Sequence, residues 1–154
     1  MLGFGCGGDG EPRERPLAPP FELSDLAGQT VQLADFAGRT VVIDFWATWC
    51  TPCKQQIPVL NAFHRSVAGQ DVVVLGIAVD VGGRGVVAPF AAEQNIEYPI
   101  LLGDEKLAFD YGAPGFPALA VVGPSGHVDS LHLGVIDRAS LEAAVGDARE
   151  GARP

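Results

Sequence analysis

The stretch DFWATWCTPCK, residues 44–54, joins an apolar run to a helical pattern and decides the fold. The run from Val41 to Phe45 is interrupted only by Asp44, as expected for a strand buried on both faces of a parallel sheet. The segment from Pro52 to Val67 has apolar residues at helical spacing and predicts a helix. The two cysteines therefore lie where a buried strand gives way to a helix.

Cys50 and Cys53 have the spacing of a redox-active dithiol. At a helix N-terminus the free backbone N–H groups and the positive end of the dipole favour a thiolate, so we expect Cys50 to be the attacking sulfur. Cys53 lies one turn inside the helix, from where it can attack a mixed disulfide and release the product. Pro52 fits the first turn, where its missing N–H costs little. The alternative is a buried structural pair or half of a metal site.

Asp44 is an acid in the middle of an apolar strand. Burial of a carboxylate is costly and should raise its pKa. Since it lies six residues before Cys50, we expect it beneath the start of the helix, near the resolving thiol. There it could accept the proton of Cys53, directly or through water. The alternatives are an exposed aspartate at the strand end and one satisfied by the local backbone.

The remainder of the chain predicts further strands and helices. We expect a β-hairpin over 21–33, a buried strand over 72–79, and a helix from Val86 to Gln94 with Pro89 in its first turn. Strands at 118–122 and 128–133 should flank a Gly-Pro turn, and Asp137 should cap a last helix. The order after the hairpin is βαβα and then ββα, an α/β fold with a mixed central sheet flanked by helices.

Composition narrows the class of protein. The chain has 154 residues, 47% of them hydrophobic, which suits one folded domain, expected at residues 21–150. A net charge of −9 argues against nucleic acid as a partner. The longest apolar run is far short of the ~20 residues of a membrane span. One cysteine pair and three distant histidines offer no zinc site, so no metal is expected: His64, His127, His132.

Residues 1–20 are rich in Gly and Pro and predict a flexible, unpacked N-terminal tail. Cys6 in this tail is either a free thiol or the lipid-anchored first residue of a tether. Gly5 suits cleavage before such a residue, whereas Gly3 and Phe4 fit a lipoprotein cleavage site poorly. No complete signal peptide precedes Cys6, and the sequence leaves open whether an export signal lies upstream.

From the hairpin onward, the sequence resembles the thioredoxin superfamily. Residues 44–54 with Pro58 look much like thioredoxin itself, and the remainder is similar to the exported TlpA/ResA/DsbE-like branch of redoxins with an AhpC/TSA-type domain. That branch has an N-terminal β-hairpin, an insertion after the central strand and a segment similar to YGAPGFP at 111–117. The resemblance covers roughly residues 19–146 and implies a thioredoxin fold. Residues 76–80, 95–100 and 103–104 also match the layout of the TlpA/ResA/DsbE-like branch.

The resemblance implies a substrate site beside the cysteines. Pro117 corresponds to the cis-proline that faces the two sulfurs, and the backbone of Phe116 would pair with an extended substrate peptide. Trp49 would supply an apolar wall, and Thr51 and Pro52 would complete the contact surface.

The sequence departs from this branch in three respects. Many members have Asn where Asp44 stands, so this chain keeps a thioredoxin-like proton acceptor. Thr51 replaces the Glu between the cysteines of some haem-maturation members, and Ala118–Leu119 stands where Thr and an aromatic residue are common. The last two departures count against a specific role in cytochrome c maturation.

Two other functions compete with disulfide exchange. Peroxiredoxins share the fold, but their peroxidatic cysteine follows a Thr three residues earlier and a Pro seven earlier, where this chain has Ala47 and Ile43. A copper- or haem-handling module would need a histidine beside the cysteines, and His64 lies eleven residues beyond Cys53 on the first helix.

The sequence thus predicts a thiol–disulfide oxidoreductase that reduces disulfides of extracytoplasmic client proteins. No histidine or second positive charge lies between the cysteines, and Asp44 is available to deprotonate Cys53, so we expect a reductant. A membrane-embedded thiol partner would keep it reduced. We expect a periplasmic monomer, with membrane anchoring left open, and no cofactor besides the Cys50–Cys53 disulfide itself.

Overall fold

The computed structural model describes residues 15–151, which form one seven-stranded sheet with helices on both faces. The strands are β1 (Glu22–Asp25), β2 (Thr30–Gln32), β3 (Thr40–Trp46), β4 (Val72–Ala78), β5 (Ile100–Leu102), β6 (Ala118–Val122) and β7 (Val128–Leu133). The helices are α1 (Thr51–Ser66), α2 (Arg84–Glu93), α3 (Glu105–Asp110) and α4 (Arg138–Glu150), with a 3-10 turn at Leu33–Phe36.

Strand β3 lies inside the sheet, whose order is β2-β1-β5-β4-β3-β6-β7. It runs parallel to β4 and antiparallel to β6, which confirms the expected mixed sheet. All seven of its residues are buried, because helices cover both faces. From the carboxyl end of β3 the chain continues into the short loop that leads to Cys50 and α1, so the site lies at this edge of the sheet.

The two faces of the sheet carry separate apolar clusters. Helices α1 and α4 cover one face, where Leu60 and Phe63 pack in the same cluster as Leu141. Helices α2 and α3 contribute Val87 and Ala108 to the cluster on the other face, which also contains both cysteines. The apolar residues at helical spacing in 52–67 therefore form the buried face of α1.

The expected insertion consists of α2 and β5, and β5 pairs with both β4 and hairpin strand β1. The predicted order omitted β5 and α3, because elements of three and six residues are too short to establish a periodicity. The placement of Pro89 in the first turn of α2 was wrong. The helix begins at Arg84, two residues before the predicted start, so Pro89 lies inside it.

The expectation of an unpacked segment over residues 1–20 is wrong for its last part. Leu17 forms a β-bridge with His127, and Ala18 is buried with its N–H donating to the Gly126 carbonyl. These contacts lie at the turn between β6 and β7. Since β6 pairs Val122 with Val41 at the start of β3, this turn is at the sheet edge opposite the cysteines. Cys6 lies outside the described residues.

Candidate active site

Cys50 and Cys53 form a disulfide at the start of α1, with their Cα atoms 5.3 Å apart. Cys50 is the N-cap residue, and the N–H of Cys53 donates to its Sγ at 3.3 Å. Cys50 is 5% exposed and Cys53 2% exposed. A thiolate at position 50 would therefore receive a backbone hydrogen bond and the favourable end of the helix dipole. The predicted Thr51 and Pro52 are exposed in the first turn beside this bond.

Asp80, which the sequence analysis missed, fixes the loop that leads to Cys50. Its carboxylate follows β4 and accepts the Thr48 N–H at 3.0 Å and the Thr48 hydroxyl at 2.5 Å. Asp80 is only 8% exposed, so these bonds are shielded from water. The contact joins residues 32 positions apart in the sequence, and it holds the loop between β3 and α1 against the end of β4.

Replacing Asp80 by alanine should lower the free energy of unfolding by about 1–3 kcal/mol, because the Thr48 N–H loses its partner in a partly buried site. Urea unfolding of the oxidised protein measures this loss. Asp71→Ala is the matched control, since Asp71 is exposed and only its backbone carbonyl is used, by the Thr40 N–H. Equal unfolding midpoints for the two variants would show that the carboxylate does not stabilise the loop.

The exposed Trp49 and the half-buried Phe116 form an aromatic pair next to the disulfide. Their ring centroids are 5.9 Å apart in an edge-to-face arrangement, and Trp49 is 62% exposed. The bond between Phe116 and Pro117 is cis, as the resemblance implied. The Pro117 carbonyl accepts the N–H of Gly134 at 2.9 Å, which attaches the segment before β6 to the loop after β7. The structure thus brings Trp49 and the segment Phe116–Pro117, both predicted to contact the substrate, together on one side of the site.

Asp44 is 1% exposed, which excludes the alternative of an exposed strand-end aspartate. Alternate residues of a strand share a face, so Asp44 points to the same side as Val42, which packs in one cluster with Leu60 and Phe63 of α1. The carboxyl therefore faces the layer to which α1 belongs. Burial raises the pKa of Asp44 well above its usual value. Within residues 15–151 its Oδ1 atom has no hydrogen-bond partner.

The surroundings of Asp44 on β4 are aromatic. Gly76 is its register neighbour, and a Cβ atom there would lie 2.9 Å from the ring of Tyr98 and 3.1 Å from Nε1 of Trp46. The Trp46 indole N–H is also buried without a partner among the described residues. Burial and the charge of the Asp44 carboxylate raise the pKa of Tyr98. Aromatic rings therefore occupy the space that a side chain at position 76 would need.

The sequence is similar to a family of known proteins over most of its length. The model of the AhpC/TSA family matches residues 16–131. The chain belongs to the AhpC/TSA family. The thiol-disulfide oxidoreductase ResA of Geobacillus thermodenitrificans is 31% identical over 127 residues, which are 81% of this chain and 72% of that protein. The thioredoxin-like protein YneN of Bacillus subtilis is 28% identical over 131 residues, 84% of this chain and 77% of YneN.

A solved structure confirms the fold of this AhpC/TSA protein. A thiol:disulfide interchange protein of the thioredoxin family from Chlorobium tepidum matches it with a TM-score of 0.75 at 27% identity, covering 87% of this chain and 96% of that one. The expected thioredoxin fold is therefore correct. The ResA relationship, together with the Cys50–Cys53 pair, makes the chain a member of the thiol-disulfide oxidoreductases.

Gln56 is a second residue of this oxidoreductase that sequence reasoning missed. It is fully buried one turn beyond Cys53. Its side-chain amide donates to the Ile136 carbonyl at 3.0 Å and accepts the Ile136 N–H at 2.8 Å. Its position on the buried stripe of α1, beside Ile57, was the available signal. A polar residue on such a stripe needs a partner, but the sequence does not identify one 80 residues away.

The described part of the chain has no helix that is both long and apolar enough to span a membrane. Over the same residues, no three histidine, cysteine, aspartate or glutamate side chains converge in an arrangement that could hold a metal ion.

Proposed function

We propose that this protein reduces disulfide bonds of client proteins, with Cys50 as the attacking thiol and Cys53 as the resolving thiol. The observation that carries the proposal is the disulfide at the start of α1, where the Cys53 N–H reaches the Cys50 sulfur. This position stabilises the thiolate form of the Cys50 sulfur, which is the form that attacks a disulfide and the form in which the sulfur leaves one. Cys53 lies inside α1, whereas Cys50 precedes the helix as its N-cap, so the helix keeps Cys53 from clients while it remains within reach of Cys50.

The reaction transfers two electrons from the dithiol to the client. The Cys50 thiolate attacks one sulfur of the client disulfide, forming a mixed disulfide and releasing the other client sulfur as a thiolate. Cys53 then loses its proton and attacks the Cys50 sulfur, which forms the Cys50–Cys53 bond and releases the second client thiolate. The protein ends oxidised and the client ends reduced.

We propose Asp44 as the acceptor of the Cys53 proton. Its burial and its position on the α1 side of the sheet support this role, because a carboxyl with a raised pKa is a better base when it ionises. The Oδ1 atom without a partner leaves a site for that proton or for a bridging water.

The proposed client groove lies between Trp49 and the segment Leu133–Val135. Trp49, Leu133 and Val135 are 62%, 60% and 44% exposed, and exposed apolar side chains around a reactive group suit a protein client. The loop hydrogen bonds of the described chain do not use the N–H or C=O of Phe116, so both can pair with an extended peptide. Thr51, Pro52 and Pro117, which lie beside the disulfide, are the other proposed contact residues of the groove.

The proposed location is extracytoplasmic, and a membrane-embedded thiol donor is the proposed source of electrons. The resemblance to the exported ResA/DsbE-like branch supports both, as does the need of a reductant for resupply outside the cytoplasm. The protein is proposed to act as a monomer. Cytochrome c maturation is a narrower proposal, against which Thr51 and Ala118–Leu119 count.

Reduction potential is the direct test of direction. We expect a value near that of thioredoxin, about −270 mV, rather than near a strong oxidant at about −120 mV. Equilibration with defined glutathione or dithiothreitol mixtures measures it, and reduction of insulin disulfides measures turnover. A potential near −120 mV, or faster reduction of hydrogen peroxide than of insulin, would contradict a disulfide reductase.

A further inference from the structure

The buried amide of Gln56 connects the helix of Cys53 to the loop between β7 and α4. The side-chain N–H of Gln56 donates to the Ile136 carbonyl, and its side-chain oxygen accepts the Ile136 N–H. Gln56 is 0% exposed, so no water competes for these bonds. Their loss would leave buried polar groups unpaired, which is the costly outcome for a hydrogen bond.

The same loop is attached at a second point to the proposed client groove. Two residues before Ile136, the Gly134 N–H donates to the Pro117 carbonyl at 2.9 Å. Gly134 has a φ of 84°, a left-handed conformation that glycine adopts without strain. The loop is therefore attached to Pro117 at Gly134 and to Gln56 at Ile136. The exposed side chain of Val135 lies between these attachments, and that of Leu133, at the end of β7, comes directly before the first.

We propose that Gln56 is a positioning residue that holds the segment Leu133–Val135 beside Pro117 and so sets the affinity for protein clients. This inference rests on the proposed function, because the segment is one wall of the proposed groove. Gln56 acts through the loop and not on the sulfurs. Its contribution should appear in the KM for a protein client and be absent from the reaction with a small disulfide.

The chemistry of the amide supplies a specific test. A glutamate at position 56 has the same shape, but its carboxylate has no donor for the Ile136 carbonyl. A protonated carboxyl has one O–H donor and an acceptor, so it can restore both bonds. The Gln56→Glu variant should therefore hold the loop at low pH and release it at high pH.

The experiment compares Gln56→Glu with the wild type, taking the ratio of their values at the same pH so that thiolate formation cancels. Because position 56 is fully buried, the pKa of the introduced carboxyl should be raised, so that it is protonated at about pH 5 and ionised at about pH 8. At about pH 8 the KM for insulin should therefore rise about tenfold, and at about pH 5 it should return to within about twofold of wild type. The rate with hydroxyethyl disulfide should stay within about twofold at both pH values. Gln56→Met, which lacks both bonds, should raise the KM at both pH values.

Gln55→Glu is the matched control, since it adds the same charge to an exposed neighbouring position on α1. It should leave the KM for insulin unchanged. An unchanged KM in Gln56→Glu at about pH 8, or an equal loss with the small disulfide, would overturn the inference.

Amide hydrogen exchange separates this inference from the proposed function. The Ile136 N–H should be protected in the wild type and exchange faster in Gln56→Met, whether or not the protein reduces insulin. If the wild type fails to reduce insulin, the proposed function is wrong; if the Ile136 N–H stays protected in Gln56→Met, the positioning role is wrong.

Discussion

Cys53→Ser should arrest the enzyme after its first chemical step, with the client attached to Cys50 through a mixed disulfide. The serine hydroxyl cannot attack the Cys50 sulfur, so insulin turnover should fall by about a thousandfold or more. Non-reducing electrophoresis and mass spectrometry of the adduct measure the trapped species. A Cys6→Ser background restricts the result to the active-site pair.

Cys50→Ser in the same background is the control. It should lose turnover to a similar extent but trap no client, because Cys53 is buried and lies inside the helix. Adducts of equal yield on both variants would contradict the assignment of Cys50 as the attacking thiol. Native extract incubated with the Cys53→Ser protein would then identify the clients from the trapped species.

Asp44→Asn should slow insulin reduction by about a hundredfold near neutral pH, the lower range for loss of a general base. In the wild type the rate should rise as pH increases through the raised pKa of Asp44, since only the ionised carboxylate accepts the Cys53 proton. The variant should lack this rise and follow thiol ionisation alone. A pH–rate profile from single-turnover reduction measures the difference, and identical profiles would remove Asp44 from the mechanism.

The same substitution should increase stability at neutral pH. The folded-state pKa of Asp44 lies above its unfolded value, so the folded protein binds this proton more tightly. The contribution of Asp44 to the free energy of unfolding is most favourable below the pKa of the unfolded state and is lost as pH rises toward the pKa of the folded state. The uncharged amide of the variant avoids that loss, about 1.4 kcal/mol for each pH unit between the two values. Urea unfolding at about pH 4 and about pH 7 tests this, and an equal difference at both would contradict it.

Long and regular features of the fold were predictable from sequence. β3 contains an apolar run interrupted only by Asp44, and α1 and α4 repeat their apolar residues at helical spacing over several turns. Asp137 was identified as a cap because its type and position suffice, and its carboxylate does accept the Ser140 N–H. The short β5 and α3 lack such a signal and become regular through pairing with β1 and β4 and through the cap Asp104.

The candidate site was predictable only where its chemistry is local. Cys50, Cys53 and their position at a helix start follow from neighbouring residues, and the burial of Asp44 follows from its apolar flanks. Pro117 came from the family resemblance, since its own sequence context gives no reason for a cis bond. Asp80 and Gln56 were missed because each acts on a residue 32 or 80 positions away, and such partners are set by tertiary packing.

The attachment of Leu17 and Ala18 beside the turn between β6 and β7 has a consequence for how the molecule can be mounted. That turn and the disulfide are at opposite edges of the sheet. A bead, an electrode or a fusion partner joined directly to residue 15 is therefore connected on the far side from Cys50. Immobilised in this way, the enzyme presents its reactive sulfur outward to passing substrates.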